Sequence, residues 1–359
     1  MLNMNKIHKH IEIVRTSLKS LSSMSQESSE NILEVLERNF ISVGISLVNN
    51  RHDLERLISS RPDLVFLGME FIYENPDQER IDEAKIWISD YLDSRGIAYT
   101  GSAKIAHVLE RNKHLAKQQV LEANLKTSAY GLIKQDQFRV IDDISLEFPL
   151  FVKPANRGGG LGIDSDSVVH NYQELNAKAS SISHEFKSDV LIEEYLAGRE
   201  FSVAIMRKVG FPELMVMPIE LVAPADEFGN RILGSKIKTA NVEQVLAVAD
   251  SLTKDRVNKL ALGVFVALKA RDYGRIDIRL DAFGAPNFLE ANLIPSLISG
   301  YGSFPKACEL NINLAYEPMI LNIVNLGLER TIDRITVIEE PINEDGEVFQ
   351  DNNIILEPA

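Results

Sequence analysis

GRIDIRLDAFGAPNFLEAN, residues 274–292, is the stretch whose reading decides the fold. Arg275, Asp277, Arg279 and Asp281 alternate with Ile276, Ile278 and Leu280, the period-two pattern of a strand with one polar and one apolar face. Gly284 and Pro286 punctuate a turn, and NFLEAN resumes as a second strand expected to place Phe288, Glu290 and Asn292 on one face. Same-face neighbours on a strand lie about 6.6 Å apart, so the hairpin can gather Asp277, Glu290 and Asn292 beside Arg275. Carboxylates and an amide oxygen at that spacing suit a hard divalent cation such as Mg²⁺. A solvated strand pair would carry the same charges; the apolar flanks of this polar face favour the ligand set.

Upstream, FPLFVKPANRGGGLGID (residues 148–164) carries an apolar strand into Lys153, Pro154 and the glycines 158, 159, 160 and 162. Glycine lets backbone N–H groups approach a phosphate because no Cβ intervenes, although a flexible loop tip reads the same way. Gly158 and Gly160 are followed by Ile163 where a dinucleotide fingerprint needs its third glycine, and no Gly-Lys-Ser/Thr of a P-loop occurs.

The first hundred residues alternate strand and helix: HIEIVRTS, SSENILEVLERNF capped at Ser28 or Ser29, ISVGISLVNN, HDLERLISSRP and DLVFLGMEF. That order predicts a parallel sheet covered by helices. A helix after Asp82 containing Ile86, Trp87 and Leu92, then the short strand IAYTGS, close this region near Gly101. A helix from Ala103 to Leu125 carries Asn112 and Lys113. VLIEEYL (190–196), FSVAIM and ELMVMPIEL read as strands, and a polar loop holds Lys236 and Lys238. Residues 254–271 form an amphipathic helix, IPSLISGYGSFP an uncharged loop, and Ala315–Leu328 a last helix that offers a homodimer contact. The tail, with ITVI and NIIL, reads as a peripheral hairpin or a partly disordered segment.

The chain of 359 residues is 45% hydrophobic, enough for several packed cores. A net charge of −14 disfavours nucleic acid or an anionic membrane as partner. Cys308 is the single cysteine, which excludes a disulfide framework and suits a reducing cytoplasm. No apolar run reaches membrane-spanning length, and the start lacks a signal-peptide core.

Taken together, Lys113, VKPANRGGGLGI, LIEEYLAGREFSV, GRIDIRLD and FLEANLIPSLIS resemble the ATP-grasp superfamily, and within it the D-alanine:D-alanine ligase family, over about residues 100 to 310. The resemblance implies an α/β protein of three-domain ATP-grasp architecture, with α+β sheets in the ATP-binding part. Residues 1–101 would form a Rossmann-like domain with a parallel sheet, and 102–196 a central subdomain with the glycine-rich loop. Residues 197–330 would form a subdomain with the metal site, and 331–359 the tail. It further implies ATP and Mg²⁺, with Mn²⁺ as alternate, and small acid and amine substrates of the amino-acid class. The expected activity is amide or dipeptide formation through an acyl-phosphate, releasing ADP and phosphate.

Carried over by position, Lys113, Lys153 and the glycines 158, 159 and 160 contact phosphate. Glu193, Glu194 and Leu196 hold adenine, and Glu200 holds ribose. Lys238, or Lys236 as its alternate, is a further phosphate lysine. Asp277, Glu290 and Asn292 bind metal, and Arg275 stabilises the acyl-phosphate and tetrahedral states.

The likeness fails where the family binds its first amino acid. TSLKSLSSMSQESS has Leu21 or a neighbour where a glutamate is expected, and LGMEFIYEN replaces a His-Gly segment. Ser296 stands for a glycine. These departures point to a carboxylate–amine ligase with a different substrate, with Glu70 or Glu74 as a replacement acid. A carboxylate kinase and a catalytically silent nucleotide-binding module are the rival readings. Retention of Arg275 with all three metal ligands argues against the silent module.

Overall fold

The computed structural model describes residues 6–18, 21, 23–75, 84–135 and 140–338. The chain begins with β1 (Ile7–Arg15), α1 (Gln26–Asn39), β2 (Phe40–Leu47), α2 (Arg51–Ser59) and β3 (Leu64–Leu67). A ribbon of β4 (Phe71–Tyr73) and β5 (Lys85–Trp87) follows, then α3 (Ile88–Asp93) and β6 (Ala98–Tyr99). The parallel sheet runs β2-β1-β3-β6. All four residues of β3 are buried, as expected of a parallel strand covered on both faces.

Two local expectations are corrected. Ser25, not Ser28 or Ser29, caps α1 by accepting from Ser28 N. The helix therefore starts earlier and buries both later serines. Ile86 and Trp87 lie on β5 rather than in a helix, because Trp87 pairs with Phe71 at a ring separation of 5.3 Å.

The middle of the chain contains α4 (Lys104–Arg111), α5 (Lys113–Glu122), β7 (Tyr130–Ile133), β8 (Leu150–Pro154), β9 (Val168–Val169), α6 (Tyr172–Glu185) and β10 (Val190–Glu194). Its antiparallel sheet has the order β7-β10-β8-β9. The single helix expected from Ala103 is two. Asn112 breaks it, its Nδ2 donating to Val108 O at 2.7 Å, and Lys113 N then donates to Ala155 O at 3.1 Å. That break ties the start of α5 to the end of β8.

The rest comprises β11 (Glu200–Arg207), β12 (Leu214–Val222), α7 (Ser235–Ala240), β13 (Gln244–Ala247), α8 (Ser251–Ala267), β14 (Tyr273–Leu280), β15 (Pro286–Asn292), α9 (Ser303–Ile312) and α10 (Tyr316–Ile338). Its antiparallel sheet runs β13-β12-β11-β14-β15. Along β11, Phe201, Val203 and Ile205 pack with Val257, Val264 and Phe265 of α8. The alternate residues Ala204 and Met206 pack with Phe304 and Cys308 of α9, while Ser202 points to the hairpin. The alternation leaves one end of this second face open for a site.

Helix α10 packs on the first sheet. A Cβ on Gly327 would lie 2.6 Å from Leu64 and 3.2 Å from the Tyr99 carbonyl oxygen, so glycine is required for that approach. Met319, Ile320, Ile323 and Val324 are fully buried there. The helix offered as a dimer contact thus uses its apolar face within the chain. Residues 335–338 continue α10 instead of opening a hairpin, and 353–356 lie outside the described residues.

Candidate active site

On the hairpin, Asp277 stands opposite Glu290 and Arg275 opposite Asn292. Arg275 Nε and Nη2 donate to the two oxygens of Asp277, both at 2.9 Å, and Nη1 donates to Ser303 Oγ at 3.1 Å. Ser202 Oγ and Asn292 Nδ2 add donors to Asp277 at 2.8 and 3.1 Å. Burial opposes the Arg275 charge, but Asp277, with Glu290 and Glu200 adding to it, holds the guanidinium pKa above its usual value.

One face assignment is corrected. Asp277 pairs with Glu290 but Ile278 pairs with Phe288, so Leu289 is an inserted residue. Phe288 consequently enters the α8 core, while Leu289 and Glu290 both line a cavity. A bulge of this kind re-aims side chains beside a site.

Burial alone would raise the Glu290 pKa. Lys113, Lys238, Lys153 and Arg275 lower it to about 2, so the carboxylate is ionised. Lys113 Nζ lies 3.5 Å from Glu290 and also donates to the Arg157 carbonyl oxygen. Burial holds the Lys113 pKa below the usual lysine value. Lys153, almost fully buried, donates to Glu193 Oε2 at 2.6 Å. Burial opposes its charge too, yet Glu193, with Glu290 and Glu200 adding to it, raises its pKa.

Lys117 escaped the sequence reading. It is fully buried and donates to Glu193 Oε1 at 2.6 Å, Thr127 Oγ1 at 2.7 Å and Ser128 Oγ at 2.9 Å. Burial pulls its pKa down to about 8. The signal was the spacing from Lys113, since residues four apart share a helix face. Glu193, expected with Glu194 and Leu196 to hold adenine through backbone and carboxylate, has its carboxylate on the two lysines. Burial opposes its ionisation, but Lys117 and Lys153 bring its pKa down to about 2.

The remaining expected residues gather nearby. A cavity of about 70 Å³ has apolar walls including Phe151, Leu196 and Leu233, with Glu194, Glu200 and Lys238 also on its lining. Arg279 donates to Glu200 at 3.1 Å; burial nevertheless keeps the Glu200 pKa raised. Gly159 and Gly160 have φ of +66° and +73°. A Cβ on Gly160 would meet Ser235 N at 3.0 Å, so the glycine loop packs directly on the start of α7. Gly158 and Gly159 face a second cavity with Lys113, Arg157 and Glu290.

The polar stretch expected as a loop is α7, six residues long. Lys238 on it lines the cavity of Leu196, while Lys236 is exposed. Leu21 belongs to the apolar core of the first sheet. Glu74 is exposed and 3.7 Å from Arg51, whereas Glu70 is buried and lines the cavity of Gly158. Among the described residues no helix is long and apolar enough to cross a membrane.

Residues 120–325 match the family described as D-ala D-ala ligase C-terminus. A D-alanine–D-alanine ligase of Bordetella petrii is 32% identical over 237 residues, covering 65% of this chain and 69% of that protein. D-alanine–D-alanine ligase B of Clostridium perfringens is 23% identical over 325 residues, covering 90% and 99%. The solved D-alanine–D-alanine ligase of Bacillus anthracis in complex with ATP superposes with a TM-score of 0.69 at 21% identity, over 91% of this chain and 99% of that one.

Proposed function

This chain belongs to the D-alanine:D-alanine ligase family, and from that premise we propose that it is an ATP-dependent ligase joining a small carboxylic acid of the amino-acid class to an amine. The observation that carries the reading is the convergence of Lys113, Lys153, Lys238 and Arg275 on the carboxylate of Glu290, beside an apolar slot. Phosphoryl transfer needs developing negative charge neutralised, and buried cations supply that in a site of low dielectric. A binding module has no need of such an arrangement.

In this reading the slot beside Leu196 holds the nucleotide base, Glu200 accepts from the ribose, and Glu194 lies at the rim. Lys113, Lys153, Lys238 and the backbone of Gly158, Gly159 and Gly160 hold the phosphates. Lys117 and Glu193 position Lys153, Glu193 by accepting from both lysines. Asp277, Glu290 and Asn292 are oxygen donors, with Glu290 ionised, and so fit a hard divalent cation. When bound there, Mg²⁺, or Mn²⁺ in its place, would neutralise phosphate charge. Arg275, permanently charged and fixed by Asp277 and Ser303, faces the site where a substrate oxyanion develops.

The phosphoryl group passes from ATP to the substrate carboxylate, and the amine then displaces it as inorganic phosphate with formation of the C–N bond. The relatives are named for joining D-alanine to D-alanine. Leu21 in the core and Glu70 in the cavity support a different amino-acid pair here. The test is phosphate release from Mg-ATP across a matrix of amino acids and small acids, with ADP and AMP separated. Release of ADP only when acid and amine are both present is expected. AMP, or release with the acid alone, would overturn the reading in favour of adenylation or a kinase.

A further inference from the structure

Glu70 sits in the connection between β3 and β4, 7% exposed, and its Oε2 has no hydrogen-bond partner. The loop is fixed, because Ile88 N donates to the Glu70 carbonyl oxygen at 2.9 Å. Glu70 is one of the residues lining a cavity of about 90 Å³ whose wall also carries Glu110, Arg111, Lys113, Glu290 and Asn292. One part of this wall is thus the β14–β15 ribbon, and another is the residue whose buried carboxyl has an unused oxygen.

The charged groups facing Glu70 are Glu110, Arg111, His107 and Lys113. Glu110 is fully engaged: Oε2 lies 2.9 Å from His107 Nδ1, and Oε1 accepts from Leu293 N at 2.7 Å. Burial, with Glu110 adding to it, pushes the Glu70 carboxyl up to about 7. A buried carboxyl with an unused oxygen is costly unless a partner supplies both donors and charge. A primary ammonium has three donors and one positive charge, whereas a hydroxyl satisfies the oxygen and leaves the charge.

We infer that Glu70 receives the amino group of the acid substrate, which is therefore a short amino acid with its carboxyl directed toward Glu290 and Asn292. This rests on the ligase reading. Docking the ammonium favours the ionised form of Glu70, so binding near neutral pH releases part of a proton.

The full chain, its isosteric Glu70→Gln variant and the conservative Glu70→Asp variant are assayed for phosphate release from Mg-ATP. Glycine, D-alanine and β-alanine are each compared, as the acid, with the hydroxy acid of the same length. The inference predicts that the wild type prefers the amino acids and that Glu70→Gln raises their KM by about 10- to 100-fold, as expected for loss of a charged hydrogen bond. The KM for ATP should stay unchanged and Glu70→Asp should recover part of the loss.

Equal use of hydroxy acids by the wild type, or an unchanged amino-acid KM in Glu70→Gln, overturns the inference and leaves the ligase reading intact. If no mixture releases phosphate, the ligase reading fails. Calorimetry of the same compounds with a non-hydrolysable ATP analogue, in two buffers of different ionisation enthalpy, then decides the docking role. Amino-acid binding with proton release in the wild type and none in Glu70→Gln supports it; binding of none of the six compounds, or no difference between the proteins, overturns it.

Discussion

Glu193 shows at the scale of one residue how the site is held before any ligand arrives. Two lysines contact its carboxylate at 2.6 Å on either oxygen. Glu193→Gln leaves two buried ammonium groups without their counter-charge, and denaturant unfolding should show a loss of about 3–5 kcal/mol. The same carboxyl titrates at about 2 in the folded chain against 4.5 as a free glutamate. A lowered carboxyl pKa stabilises the fold fully above 4.5, and that stabilisation disappears as pH falls toward about 2. Acid unfolding of Glu193→Gln should accordingly be shallower than that of the wild type across this window. Arg275→Ala removes the guanidinium proposed to hold the developing oxyanion and leaves the residues lining the base slot in place: nucleotide affinity, measured by calorimetry, is expected to persist while turnover falls about 10²–10³-fold. Asp277, Glu290 and Arg275 were legible because period-two alternation puts them on one face. The position of Phe288 was not, since a bulge depends on how two strands pair and leaves no mark in the spacing of one. Lys117 was missed because a lysine on a helix ordinarily solvates its surface; only tertiary burial made it a site residue.

Among the elements, the glycine loop and α7 form one unit. Gly160 has φ +73° and no room for a Cβ against Ser235 N. Gly160→Ala should cost about 1–2 kcal/mol from the left-handed backbone alone. It should also raise the KM for ATP more than that for the acid, because the loop loses its seat on α7. Steady-state kinetics with each substrate varied in turn would show the split. Lys236 and Lys238 were read as loop residues because six polar-rich residues carry no apolar period. For α9 the misleading signal was GYGSFP. Gly302 precedes the helix and Pro305 occupies its first turn, where a proline lacks only an N–H that has no partner anyway. The break at Asn112 was invisible because apolar residues continue at helical spacing on both sides of it.

Over the whole molecule, alternating strands and helices gave away the first parallel sheet, whereas for the two later sheets only the strands were legible and their antiparallel order was not. What the sequence hid was the return of α10 to the first sheet, a long-range packing event that depends on Gly327. That helix joins the first sheet to α9 and the last sheet in one apolar core, and nucleotide bound among the sheets should stabilise them together. Mg-ATP at 100 times its dissociation constant is expected to add about 2.7 kcal/mol to unfolding stability. Chelation of the cation should lower that gain and abolish phosphate release, which thermal unfolding and a phosphate assay would register together. The proposed chemistry requires that the substrate carboxylate itself be phosphorylated. The measurement is the fate of ¹⁸O placed in that carboxylate during a single round of ATP turnover in the presence of the amine. Transfer of one labelled oxygen into inorganic phosphate is the predicted result, and unlabelled phosphate alongside amide product would contradict it.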